Sequence, residues 1–254
     1  MSLRQEIRQF ITEAAAEEDK AGFFREPLLG FAATNDPYFT ELKSIVGEYH
    51  LLPEDILPTA RTAVAFFLPF STEVITGNRG SEVSRSWAEA YIAGNTTINA
   101  ICTSLTAMLS AKGIAAATIA ATHTYDAATL TSPWSHRSVA FIAGLGRFGL
   151  NRMLITPAGC AGRFGSVLLS QALAADERPD ATKEKEPCAW FREGSCRFCI
   201  TNCPTGALTE AGIDRHLCND HLLKISENFT DLGLCDVCGK CAIGPCAISH
   251  SIST

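Results

Sequence analysis

No apolar run in the 254-residue sequence reaches membrane-spanning length, and positive charge is scarce, with 21 Lys and Arg facing 27 Asp and Glu for a formal net charge of −6. The first absence excludes a helical membrane span. The second, with acids and bases mixed and no long run of either, speaks against phosphate backbones or anionic lipid as main partners. Neither a nucleic acid nor a membrane partner is therefore expected. The N-terminus lacks a basic stretch followed by an apolar one. Arg4, Glu6, Arg8 and Glu13 read instead as one side of an amphipathic helix, so no secretory leader is expected. Cysteine is almost missing from the first 187 residues, which hold only Cys102 and Cys160 of the eleven. The other nine lie between Cys188 and Cys246. A chain of this length buries a sizeable core without cysteine staples. The expected compartment is the cytoplasm, where thiols stay reduced and clustered cysteines bind metal rather than pair.

Composition changes near residue 180, across the charged, proline-flanked tract Asp176 to Pro187 (DERPDATKEKEP), as it does at linkers. Residues 1–180 form one expected domain and residues 181–254 a second. No internal repeat occurs in the first. Ser2 and Gln5 stand at capping-box spacing ahead of a helix with Leu3, Ile7, Phe10 and Ile11 on one face. Thr62 to Leu68 (TAVAFFL) is apolar on both faces and is closed by Pro69, which predicts a buried strand. A long helix is predicted from about Ser86 to Ala111, stopped by Gly113. Ala115 to Ala120 reads as a strand and Ser135 to Ala143 as a short helix ending at Gly144. Arg152 to Thr156 and Gly165 to Ser170 are expected to pair as a hairpin. Strands alternating with helices and followed by a hairpin predict an α/β or α+β sandwich.

Gly144-Leu-Gly146-Arg-Phe-Gly149 matches the dinucleotide pattern G-x-G-x-x-G, but its context is wrong. That fingerprint needs a strand before it, a helix after it, and an acid about 20 residues on for the ribose. Here a helix precedes, Pro157 follows soon after, and no Asp or Glu occurs between Gly149 and Asp176. A tight turn is the better reading. Gly144, Gly146 and Gly149 remain candidates for close backbone approach to a large cofactor.

The cysteines carry the strongest signal. Cys188 is followed after seven residues by Cys196, then at two by Cys199, then at three by Cys203-Pro204. The last part is the ending of the bacterial ferredoxin run C-x2-C-x3-C-P, in which the cysteine before proline ligates the other cluster. A second run holds Cys235, Cys238, Cys241 and Cys246, and Cys218 stands between the two. Nine cysteines face eight ligand places in two 4Fe–4S clusters, with one surplus that spacing does not identify. A zinc site at Cys196, Cys199, Cys235 and Cys238 is the alternative. It leaves Cys203, Cys218, Cys241 and Cys246 without a role.

With these motifs, Leu57 to Pro69 (LPTARTAVAFFLP), the helix from Trp87, Ala143 to Pro157 (AGLGRFGLNRMLITP), Gly165 to Ser170 (GSVLLS) and Cys196 to Leu208 (CRFCITNCPTGAL) resemble the epoxyqueuosine reductase and reductive dehalogenase superfamily over roughly residues 50 to 250. The resemblance implies a nitroreductase-like sandwich that holds a corrinoid (cobalamin), followed by a ferredoxin-like domain with two 4Fe–4S clusters. It implies Cys196, Cys199, Cys188 and one of Cys241 and Cys246, with Cys246 preferred, on the first cluster, and Cys203, Cys218, Cys235 and Cys238 on the second. The surplus cysteine is then sought among Cys218, Cys241 and Cys246.

Departures from the family pattern are specific. Three positions ahead of Pro133, where epoxyqueuosine reductases carry an acid, stands Leu130, so the general acid is missing or displaced to Asp126. Leu150 stands where they carry lysine. Tyr91 and Tyr125 are the candidates for the tyrosine proton donor of dehalogenases. The helical-repeat extension that engages transfer RNA and the twin-arginine leader of exported dehalogenases are not expected. Arg137, Arg147 and Arg163 are candidates for cofactor amide or phosphate contacts. The histidines at 123, 136, 216, 221 and 250 read as surface or satisfied polar residues. The implied function is an iron–sulfur oxidoreductase passing single electrons from reduced ferredoxin or flavodoxin to a corrinoid, a corrinoid protein or a substrate. The alternative is a ferredoxin-type carrier whose first domain only docks.

Overall fold

A computed structural model of the chain describes residues 1–120, 125–178, 182, 185–233 and 235–249. His123, His250 and linker residues 179–181, 183 and 184 lie outside the described residues. Helix α1 (Leu3–Glu18) begins at the predicted capping box, in which Ser2 and Gln5 satisfy each other's backbone amides. Strand β1 (Leu28–Ala33) and the short helices α2 (Pro37–Ile45) and α3 (Pro53–Ile56) lead to β2 (Thr62–Pro69). All eight residues of β2 are buried, as its two-faced apolar run requires. Helix α4 (Thr72–Gly77) and the long α5 (Arg85–Ala111) follow, then β3 (Ala116–Thr118), α6 (His136–Ile142), β4 (Arg147–Phe148), β5 (Leu154–Ile155) and β6 (Gly162–Leu169).

The four-stranded sheet runs β1-β2-β6-β3, antiparallel throughout, with Thr62 opposite Leu169 and Pro69 opposite Gly162. Alternation along β2 sends Val64, Phe66 and Leu68 to one face and Ala63, Ala65 and Phe67 to the other. The first set packs with Ile7, Ile11, Ile98, Ile101 and Leu105 of α1 and α5. The second packs with Phe39, Trp134 and Val139 beside α2 and α6. Helices therefore cover both faces, and of the predicted α/β or α+β sandwich the antiparallel sheet makes it the α+β form. The expected hairpin is a correction. Strand β5 pairs backward with β4, Arg147 opposite Ile155, while β6 takes β2 and β3 as neighbours. Eight-residue β6 satisfies more backbone and buries more apolar surface between two strands than two-residue β5 offers it.

The cysteine-rich part contains α7 (Ala189–Glu193), α8 (Phe198–Thr201), α9 (Arg215–Ser226) and two short 3-10 turns. Its own apolar residues are few, and they join Phe70, Trp87 and Tyr91 of the first part in a shared core with Phe229, Val237 and Ile243. Backbone amides of Cys160 and Ala161 donate to Cys246 and Ala247 at 3.0 and 3.2 Å. Lys240 makes a second tie. Its buried Nζ donates to the carbonyls of Asn78, Gly80 and Glu82 at 2.6 to 2.8 Å. Every proton of that ammonium has an acceptor, which is how a buried cation is tolerated.

His136 opens α6 with Nδ1 2.8 Å from the Ser166 hydroxyl on β6. Burial, and then the nearby Arg163 charge, push its pKa down to about 4. The folded state holds the ring neutral, whereas the unfolded chain protonates it near 6.5. Stability is lost as pH falls from about 6.5 to about 4, by at most about 3 kcal/mol. Urea unfolding of wild type and His136→Gln at pH 7 and 4.5 checks this. The wild type is expected to lose more stability between the two values than the variant, and equal losses would contradict the assignment.

Candidate functional site

Thiols from distant elements come together in two groups. Cys188 caps the start of α7 and accepts a hydrogen bond from the Leu150 amide at 3.4 Å. Cys199 sits in α8, and the thiols whose charge acts on it are Cys246, Cys188 and Cys196. Burial and those neighbours raise Cys199 to about 11. The second group forms around α9, which Asp214 caps through the Leu217 amide at 2.9 Å. Cys218 on α9 feels Cys238 and Cys203. Cys241 feels Cys238, Cys218, Cys199 and Cys203 in that order, so it lies between the two groups, and mainly by burial it is raised to about 12. Burial also pushes Cys203 up. Hydrogen bonds from the Leu208, Thr205 and Ala207 amides and the Thr205 hydroxyl outweigh it, so Cys203 titrates below an ordinary thiol.

Cys235 stands apart. It is fully buried, its Sγ faces the Ala88 carbonyl of α5 at 3.9 Å, and the charges acting on it are Asp236, Arg85 and Asp231, with no cysteine among them. Cys218, Cys241 and Cys246, among which the surplus thiol is sought, each have another thiol beside them. The same geometry divides the zinc alternative, because Cys196 and Cys199 fall in one group, Cys238 in the other and Cys235 in neither. Among the described residues no three Cys, His, Asp or Glu side chains converge as ligands of one ion.

Cys160 is the residue that spacing missed. Outside both cysteine runs, it lies with its Sγ 3.7 Å from that of Cys246. The two thiols share a hydrogen bond that lowers Cys246, while the same bond and burial hold Cys160 high. Asn151 Nδ2 reaches the Cys160 sulfur at 3.4 Å and the Cys241 carbonyl at 3.2 Å. One amide thus touches both groups' surroundings.

Between the sandwich and these thiols lies a cavity of about 1070 Å³, bordered by Cys203, Cys218, Cys238 and Cys241 on one side and Trp87, Tyr91 and Phe148 on the other. Gly239 brings the cysteine loop against Trp87. A Cβ there would lie 2.1 Å from the indole, and φ is +73°, so only glycine allows the approach. The Trp87 Nε1 donor is buried without a hydrogen-bond partner. Tyr91 donates its hydroxyl to Asp236 at 2.8 Å and lies under the Arg163 guanidinium, 4.5 Å from the ring centre. Burial raises Tyr91 to about 12.

Of the three motif glycines, only Gly149 borders the cavity. A Cβ on Gly144 would meet the Glu177 carbonyl at 2.5 Å, and one on Gly146 the Ile155 carbonyl at 2.2 Å. Those two glycines make the chain's own turn between α6 and β4. Leu130, in the left-handed region at φ 51°, does border the cavity. Asp126 does not: its exposed carboxylate binds the Thr129 amide and hydroxyl, which lower its pKa and leave it no acid for cavity chemistry. Tyr125 is exposed and outside the lining too. Arg147 is spent on Glu186 at 2.9 Å, whereas Arg137 and Arg163 reach the cavity.

No family model matches the chain. An epoxyqueuosine reductase from Francisella cf. novicida (strain Fx1) is 32% identical over 118 residues, covering 46% of this chain and 31% of the relative, so the match spans less than a third of that protein. An epoxyqueuosine reductase solved with an epoxyqueuosine-modified tRNA-Tyr stem loop superposes with a TM-score of 0.55 at 20% identity, over 97% of this chain and 68% of that one. A reductive dehalogenase described for B12-dependent dehalogenation superposes at 0.51 and 16% identity, over 72% and 23%. The fold is that of these proteins, in agreement with the resemblance read from the sequence. No helix among the described residues is long and apolar enough to cross a membrane.

Proposed function

We propose that the chain is an iron–sulfur oxidoreductase with one 4Fe–4S cluster on Cys188, Cys196, Cys199 and Cys246, a second on Cys203, Cys218, Cys238 and Cys241, and a corrinoid in the adjoining cavity. The observation that carries this reading is that eight thiols from separate elements act on one another, Cys188, Cys196 and Cys246 on Cys199 and Cys203, Cys218 and Cys238 beside Cys241, with the latter four bordering the cavity. The donor set fits. Four soft thiolates suit a cubane, and amide donors to sulfur, as at Cys203 and Cys188, tune its potential. The cavity fits too, being at the upper end of ordinary ligand pockets, largely apolar, and furnished with the unpartnered Trp87 donor. When bound, such clusters pass single electrons, and a corrinoid supplies reductive cleavage of a carbon–oxygen or carbon–halogen bond. The chain itself supplies enclosure by Trp87 and Phe148, and a proton held on the Tyr91 hydroxyl against Asp236. Reduced ferredoxin or flavodoxin is the fitting donor.

Leu130 at the acid's place favours a second reading, an electron carrier with a docking domain. Anaerobic addition of hydroxocobalamin separates them. A shifted corrinoid spectrum with co-elution supports the oxidoreductase, and no binding at high micromolar concentration leaves the carrier.

A further inference from the structure

The chain carries net negative charge, yet its cavity does not. Arg137 of α6, Arg152 of the β4–β5 connection, Arg163 of β6 and Arg215 of α9 all border it, and the sole carboxylate in its lining is Asp236, already engaged by Tyr91. Among the described residues, none of these four arginines makes an ion pair. Arg137 Nη1 donates to the Arg152 carbonyl and the Met153 sulfur, both at 3.1 Å, and Arg163 donates to the neutral Asn95 side chain at 2.6 Å. Arg137 is exposed at the cavity, where the like charges of Arg163 and Arg215 oppose it and Cys241 favours it. Lys240 adds no free cation, since its protons are spent on carbonyls. Four guanidinium groups face one carboxylate and the thiols of Cys203, Cys218, Cys238 and Cys241 around this space, and the mutual repulsion of Arg137, Arg163 and Arg215 is offset when an anion enters beside Arg137. Guanidinium is also the group that grips carboxylate or phosphate through paired hydrogen bonds. Beside it the wall is apolar, with Trp87 and Phe148.

We infer that the cavity selects a small organic anion, an apolar body bearing one carboxylate or phosphate held at Arg137, as its substrate. This rests on the reading of the cavity as the reaction site. The same anionic chemistry has two sources, the substrate or the phosphate of a corrinoid, and the test distinguishes them. Anaerobic equilibrium dialysis of the full, iron-loaded chain is run with benzoate, phenyl phosphate and the neutral benzamide, with and without hydroxocobalamin. Benzoate and phenyl phosphate are expected to bind at least about tenfold more tightly than benzamide, a preference that shrinks in high salt. Arg137→Gln is expected to remove that preference with iron content unchanged, while Lys112→Gln on the far surface has no effect. Equal binding of benzoate and benzamide overturns the inference. So does unaltered benzoate binding by Arg137→Gln, or full displacement of benzoate by hydroxocobalamin, which would assign the arginines to the cofactor. Retention of a stem-loop RNA with no benzoate binding assigns them to a nucleic-acid backbone and also overturns it. Hydroxocobalamin co-elution on the same samples tells the failures apart. Corrinoid bound without benzoate defeats this inference alone, whereas benzoate bound without corrinoid defeats the cofactor reading alone.

Discussion

Cys235→Ala purified without oxygen retains about eight irons per chain, whereas Cys241→Ala retains about four. The difference follows from where the two sulfurs sit. Cys235 is buried against the Ala88 carbonyl with no thiol acting on it, so its removal empties a small apolar site and touches no cluster ligand. Cys241 faces Cys238 and Cys218 first, then Cys199 and Cys203, and borders the cavity, so on the proposed ligand set its loss leaves a cubane with three ligands. Iron and sulfide analysis of the two variants beside wild type checks this. The opposite result, four irons without Cys235 and eight without Cys241, would restore the ligand set that the family resemblance implies.

Removing the metal is expected to unfold most of the cysteine-rich part while the sheet stays folded. Cys199 and Cys241 are raised to about 11 and 12, so without iron they stand as neutral thiols that neither attract nor bind one another. Helices α7 and α8 have five and four residues, too few to persist in water alone. What remains is the shared core at Phe229, Val237 and Ile243 and the Lys240 tie. Metal binding in such a segment is largely its folding free energy. Hydrogen exchange after oxidative cluster removal with a chelator is the measurement. Residues 189–203 should exchange at nearly unfolded rates, with β2 and β6 still protected. Full protection of residues 189–203 in the metal-free protein would contradict the account.

Local signals in the sequence were read correctly where one element decided the outcome. The Ser2–Gln5 capping box, the two-faced run of β2 and the Gly113 stop of α5 each depend on neighbours a few residues away. Pairing was harder. Strand β1 (LLGFAA) is short and rich in small residues, and it stayed unread because only its register against β2 makes it a strand. The Arg152–Thr156 run looked like a partner for β6 because proximity in sequence was the one guide available, whereas β6 is claimed by β2 from a hundred residues earlier. In the site, spacing gave the number of clusters' worth of thiols. It carries no information on which way each sulfur points, and Cys235 is turned away by its packing on α5. The cavity's charge was hidden for the same reason, since Arg137, Arg163 and Arg215 come from three separate elements.

Anaerobic iron, sulfide and zinc analysis of the wild-type chain, with quantitative electron paramagnetic resonance after reduction, tests the central claim most directly. The account predicts a brown protein with about eight irons and eight sulfides per chain and two reducible centres. A colourless protein holding zinc, or one that accepts only about four irons after reconstitution, would contradict it.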